Sequence, residues 1–210
     1  GAGNFAQTTH LPNLKALNDC YKIHAIVSAS GYNASTIANK YDSSYISTNY
    51  KDVIEDPNID AVLIATRHDL HATMLIESLK AGKHVLVEKP MAISSAELEE
   101  LNSLILKFQT NKKPMPILLT GYNRRFSKFA LQIKDLLDSR SSPFILNYRM
   151  NAGYIPNDHW VHGNEGGGRN IGEACHIYDL FTYFTEEEVE KISVNTISPN
   201  SDYYNRNDNF

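Results

Sequence analysis

The chain has 210 residues, 42% of them hydrophobic, enough to bury a sizeable core as one large domain or two small ones. A formal net charge of -4, from 20 Lys and Arg against 24 Asp and Glu, leaves no broad basic field and sets nucleic acid aside as a partner. No apolar run is long enough to cross a membrane, and the two cysteines, Cys20 and Cys175, lack the spacing of a disulfide framework or a zinc site, so no metal is expected and a reducing cytoplasm fits best.

In chain order, Gly1-x-Gly3-x-x-Ala6 places glycines where a strand-to-helix turn is tight and where backbone must approach a pyrophosphate, with a small residue for helix–strand packing. The amides of Asn4, Phe5 and Ala6, at the start of a helix predicted over 4–18, would face the anion. A short buried strand at 23–27 follows, then a helix at 33–41, a strand at 45–47, a helical turn at 50–55 and a continuous apolar strand at 61–65. Asp69 is placed to cap a helix running to Lys80, Gly82 to stop it, and 85–87 to form the next strand. Ser94 or Ser95, with Glu97 or Leu98 behind it, opens a long helix to about Phe108, and a strand follows at 117–120. Strands alternating with helices at this spacing argue for a doubly wound parallel sheet, a Rossmann-like α/β domain over 1–121. After Gly121 the character changes. A helix is predicted at 129–137, and alternating apolar residues at 144–150 and 192–197 predict strands of a mixed or antiparallel sheet in an incomplete α+β domain over 122–210. Nothing precedes Gly1 where a first strand is expected, and 207–210 reads as the start of another strand, so both ends look cut.

About 20 residues past the glycines, Ser28-Ala29-Ser30 stands where an acid usually meets the ribose hydroxyls of NAD. A serine hydroxyl can bond a 2'-phosphate and no carboxylate repels it, so Ser28 and Ser30 tilt the cofactor reading from NAD slightly towards NADP.

The run at 81–90, Ala-Gly-Lys-His-Val-Leu-Val-Glu-Lys-Pro, sets a charged Glu88-Lys89 pair at the carboxyl end of an apolar strand, where open α/β sheets bind their ligands. Together with Gly1-Ala2-Gly3-Asn4-Phe5-Ala6 and Gly121-Tyr122-Asn123-Arg124-Arg125-Phe126, it resembles the Gfo/Idh/MocA family of nicotinamide-dependent oxidoreductases. The resemblance implies an NAD(P) cofactor, a sugar-like small-molecule substrate and a homo-oligomer formed through the second-domain sheet. It is strongest to the branch in which this module is the C-terminal half of a bi-domain protein.

The resemblance also implies roles for particular residues. Lys89, with Glu88 beside it, falls at the lysine that lies by the nicotinamide and the substrate oxygen, where a cation favours developing alkoxide charge. Ala65-Thr66-Arg67 matches the cofactor-side segment after the fourth strand, with Arg67 in place of proline. His71 falls at that segment's histidine, where capping or packing the next helix comes before any contact with cofactor. In the Gly-rich lead-in to the last helix, His176 matches the family's proton-exchanging histidine. Gly172 replaces its aspartate, which leaves Glu173 or Asp179, each three residues from His176, as its partner and as substrate contacts. Trp160 matches a cofactor-contacting tryptophan or is an aromatic anchor, and Asn123 and Arg124 match a motif facing the substrate, one of Arg124 and Arg125 being a structural ion-pair residue. The loss of the relay aspartate keeps two alternatives open: a non-catalytic dinucleotide-binding or sensing module, and a redox-cycling glycoside hydrolase.

Overall fold

The computed structural model describes residues 1–29, 31–112 and 114–205, with backbone alone for 31–33. Ser30 and the segment 207–210, both named above, lie outside the described residues. The chain divides into two compact units, Gly1–Thr120 and Gly121–Phe210.

In the first unit, a π-helical turn, Ala6–His10, runs into helix α1 (Leu11–Ala16). Next come strand β1 (Ala25–Val27), helix α2 (Gly31–Tyr41), strand β2 (Tyr45–Ser47), the helical turn α3 (Lys51–Ile54) and strand β3 (Ala61–Ile64). A 3-10 turn, His68–Leu70, leads into helix α4 (His71–Lys80), followed by strand β4 (His84–Val87), helix α5 (Ser95–Thr110) and strand β5 (Leu118–Thr120). Among the described residues all pairings are parallel: β1 with β2, and β3-β4-β5 as a second sheet in which Ile64 faces Val87 and Val87 faces Thr120. Parallel strands in register bring their carboxyl ends to one edge, and that edge carries Ala65-Thr66 beside Glu88-Lys89.

The helices form where apolar side chains recur along one face. Ala34, Ile37, Ala38 and Tyr41 of α2 are buried with Ile26 and Leu11, while Ala72, Leu75, Ile76 and Leu79 of α4 are buried at the same spacing. The larger core joins Ile64, Leu75, Ile76, Leu79, Val85, Val87 and Leu101, each fully buried aliphatic chain contributing about 1.5–3 kcal/mol. At the start of α5 the alternatives resolve to a capping box: Ser94 Oγ accepts from Glu97 N at 3.3 Å, and Glu97 Oε2 accepts from Ser94 N at 3.0 Å. Asp69 does not cap α4, because the 3-10 turn carries it into the approach to the helix and no side-chain bond closes the helix start.

The second unit holds a 3-10 turn, Asn123–Phe126, helix α6 (Lys128–Asp138), a 3-10 turn, Trp160–His162, a π-helical turn, Asn170–Ala174, and helix α7 (Cys175–Thr185). Ser127 caps α6 by accepting from Ala130 N, and α6 meets α7 through Ala130, Leu180 and Phe184. The sheet predicted for this unit is not formed among the described residues: 144–150 and 192–197 carry no strand, and Ile145 is 88% exposed. Alternation sets which face is apolar, but a strand also needs a neighbour to take its N–H and C=O groups, and neither segment has one there.

Candidate functional site

In the first unit the glycine turn sits against the carboxyl ends of β1 and β3. Ala2 N donates to Val27 O at 3.2 Å, and a Cβ on Gly1 would come within 2.8 Å of the Thr66 side chain and 3.2 Å of Ala65 O, so only glycine allows this approach. A Cβ on Gly3, by contrast, would meet nothing within 4 Å, which leaves the space beside Gly3 open to a ligand. The first amides of the helical segment have no acceptor within it, Gln7 N being the donor that reaches Gly3 O at 3.1 Å. Ala6 is buried beneath the turn, while Gly3, Asn4 and Phe5 are exposed. Ser28, half-buried, follows β1 and donates its amide to Ser47 O.

The Glu88-Lys89-Pro90 turn is held from several directions. Glu88 N donates to Ile64 O at 2.8 Å, which extends the β3–β4 ladder by one bond, and proline then ends it for want of an N–H. The Glu88 carboxylate meets His10 Nε2 at 2.7 Å through one oxygen and accepts from Lys89 N at 3.3 Å through the other. His10 closes the π-helical turn, with the Phe5 ring edge-on to it at 5.2 Å. Position at the end of an apolar strand marks Glu88, but nothing in the sequence marks His10 as its partner beyond a helix-terminal histidine near a glycine turn.

His71 is 1% exposed, with Nδ1 at 2.7 Å from Pro90 O and Nε2 at 3.2 Å from Thr66 O. Burial holds its pKa below the usual 6.5 against the pull of those carbonyls and of Glu88, so the ring is neutral near pH 7 and has one N–H to give. By distance that proton belongs to Pro90 O. The residue thus packs the start of α4, bonded to the turn after β4 through Pro90 O and in contact with the segment after β3 at Thr66 O. Arg67 is exposed in the turn before α4, and Lys89 is half-buried.

In the second unit, His176 is buried near the start of α7 and lies edge-on to Tyr122, ring centroids 6.2 Å apart. Burial, reinforced by Cys175 and Asp179, pushes the Tyr122 hydroxyl up to about 12, so it stays protonated across the physiological range. Both arginines of the Asn123–Phe126 turn are ion-paired. Arg124 Nη2 meets Glu173 Oε1 at 2.6 Å, and Arg125 grips Asp179 with two bonds of 2.7 and 2.5 Å beneath a cation–π contact with Tyr183. The carboxylates at three-residue spacing from His176 are therefore engaged by Arg124 and Arg125, while Asn123 is exposed. Trp160 opens its own 3-10 turn, its ring tilted against His159 at 5.7 Å. Gly166 packs so closely on Val161 that a Cβ there would lie 2.3 Å from Val161 O, which fixes the Gly-rich lead-in ahead of Asn170–Ala174.

The first unit fits a dinucleotide: open space beside Gly3, first-turn amides with no acceptor within their helix, and two parallel sheets whose carboxyl ends flank the turn. The profile of the oxidoreductase family with an NAD-binding Rossmann fold, Gfo/Idh/MocA, matches residues 1–111. The myo-inositol 2-dehydrogenase of Thermotoga maritima is 29% identical over 190 residues, covering 88% of this chain and 53% of that protein. The crystal structure of a probable dehydrogenase from Thermotoga maritima superposes with a TM-score of 0.71 at 26% identity, over 90% of this chain and 55% of that one. KijD10, a 3-ketoreductase from Actinomadura kijaniata solved with NADP and TDP-benzene, superposes at 0.56 with 25% identity, over 66% of this chain and 40% of that one. The chain spans about half the length of the curated relatives it matches. On a fold of parallel strands with a glycine turn at their carboxyl ends, and a family profile spanning more than half of its residues, the chain belongs to the Gfo/Idh/MocA oxidoreductase family.

Proposed function

We propose that the protein is an NAD(P)-dependent oxidoreductase that moves a hydride between the nicotinamide and a secondary hydroxyl or carbonyl carbon of a sugar or polyol. The observation that carries this reading is the Glu88-Lys89-Pro90 turn, held beside the glycine turn by the 2.7 Å contact of His10 with Glu88. The myo-inositol 2-dehydrogenase relative supports a polyol as substrate class. When bound, the nicotinamide gives or takes the hydride. Lys89 donates to the substrate oxygen and favours the alkoxide, and His176 takes or returns the hydroxyl proton, with Tyr122 packed on its ring. Ser28, with no carboxylate at its place, tilts the cofactor towards NADP(H). The exposed apolar residues of 144–150 and 192–197 support a homo-oligomer formed through the second unit, and the composition supports a cytoplasmic site of action.

Fluorescence titration with NADPH and NADH tests the cofactor. Absence of binding by either removes the assignment, and a clear NADH preference overturns the tilt. With a polyol substrate, Lys89→Ala and His176→Ala are each expected to lower turnover by about a hundredfold or more while leaving dinucleotide affinity within about twofold. A second reading, a dinucleotide-binding sensor, is favoured by the pairing of Glu173 and Asp179 with Arg124 and Arg125. Tight dinucleotide binding with no polyol turnover would select it.

A further inference from the structure

We propose that His10 and His71 are positioning residues for Lys89, acting from either side of it through Glu88 and Pro90. The inference rests on the reading of Lys89 as the group that meets the substrate oxygen. Lys89 has a long, flexible stem, so where its ammonium can reach depends on how firmly its backbone is anchored. That anchoring has two sides. The residue before Lys89 is held by one imidazole, His10 Nε2 on Glu88 Oε1 at 2.7 Å, and the residue after it by another, His71 Nδ1 on Pro90 O at 2.7 Å. The two come from different parts of the chain, the π-helical turn behind the glycines and the first residue of α4.

Neither contact is a surface accident. The His10 and Glu88 side chains are only 17% and 13% exposed, and His71 is among the most buried side chains described. The second oxygen of Glu88 turns back to accept from Lys89 N, so the carboxylate passes the position of His10 directly to the lysine backbone. The other edge of the His71 ring lies 3.2 Å from Thr66 O, packed without a second N–H to give against the segment after β3 on which Gly1 is wedged. Lys89 is thereby registered to the glycine turn by hydrogen bonds through His10 and by packing through His71. A displacement of about 1 Å in such a group can cost about a hundredfold in rate, which is the scale on which this anchoring acts.

The test reads Lys89 itself. Pulse-labelling of the full chain with an amine-reactive ester, quantified by mass spectrometry, gives the reactivity of each lysine in one sample. His10→Leu and Glu88→Gln are each expected to change the Lys89 rate by about tenfold, and the double variant by no more than either alone. His10→Gln, which keeps a donor for Glu88, is expected to restore the rate to within about twofold, and His71→Asn, which keeps a donor for Pro90, to do likewise relative to His71→Leu. Lys83 is the internal control, since it is 9% exposed and bonds the carbonyls of Asp56 and Ile59 at 2.7 Å. A change at Lys89 alone, rescued by the conservative variants, supports the proposal. A joint change at Lys83 and Lys89 would mean that the histidines merely hold the fold, and an unchanged Lys89 rate would mean that they do not reach it; either overturns the proposal. NADPH and NADH titrations of the same wild-type sample report on the functional reading separately, since lysine labelling needs no bound cofactor.

Discussion

The first unit is built around aliphatic side chains, whereas the second relies on charge. In Gly1–Thr120 a core of seven residues around Ile64, Leu75 and Val87 lies between strands and helices, and its few buried polar groups, such as Lys83 and His71, bond to backbone carbonyls. In Gly121–Phe210 the buried cluster is Ala130, Leu180 and Phe184, with Arg125–Asp179, Arg124–Glu173 and the Lys134 bridges to Asp138 and Glu186 around it. Phe129 and Leu136 of α6 and the isoleucines at 145, 192 and 197 stay exposed. The contrast shows what each unit can tolerate. Aliphatic packing fails by leaving a cavity, and an ion pair fails by leaving a buried charge without its partner.

The largest effect that would sharpen this contrast is expected from Leu79→Ala, which removes a side chain with no exposed surface from the larger core and should cost about 2–5 kcal/mol in urea unfolding. A loss below about 1 kcal/mol would show that the first unit is not held by its aliphatic core. Arg125→Ala should cost about 3 kcal/mol, because it strands an Asp179 carboxylate that is only 4% exposed. Arg125→Ala with Asp179→Leu should recover much of that loss, and failure to recover would mean that the pair contributes more than mutual compensation. The smallest effect concerns acid. Because burial lowers the His71 pKa below 6.5, the unfolded chain takes up this proton before the folded one does. The stability owed to neutral His71 is complete above the unfolded value and is lost as pH falls through the window below 6.5. Unfolding midpoints at about pH 7.5 and 5.5 should therefore fall more steeply for the wild type than for His71→Asn, and parallel slopes would contradict it.

Much of the first unit was legible because its signals are local. Continuous apolar runs marked β3 and β4, Gly82 marked the stop of α4, and Ser94 or Ser95 with Glu97 or Leu98 behind it announced the start of α5, which Ser94 and Glu97 cap. What escaped reading depends on distance along the chain. His10 and Glu88 are 78 residues apart, and no pattern within either segment points to the other. Tyr122 and His176 meet through tertiary packing in the same way. Asp69 looked like a cap because the intervening 3-10 turn leaves no mark in composition. Residues 144–150 and 192–197 have the alternation of strands, yet alternation encodes a preference of side chains and not the presence of a pairing backbone.

The two π-helical turns, Ala6–His10 and Asn170–Ala174, share one consequence. The first ends on His10 and the second stands two residues before His176, and in the first Leu11 N reaches back five residues to Ala6 O. Each turn accommodates more chain than an α-helical turn of the same rise, and a helix advances about 100° per residue. Tightening either turn to α-helix at unchanged length would swing everything downstream by about that angle, carrying His10 off Glu88 or His176 off Tyr122. The wide winding of these two segments is therefore as much a part of those contacts as the identity of the histidines they deliver.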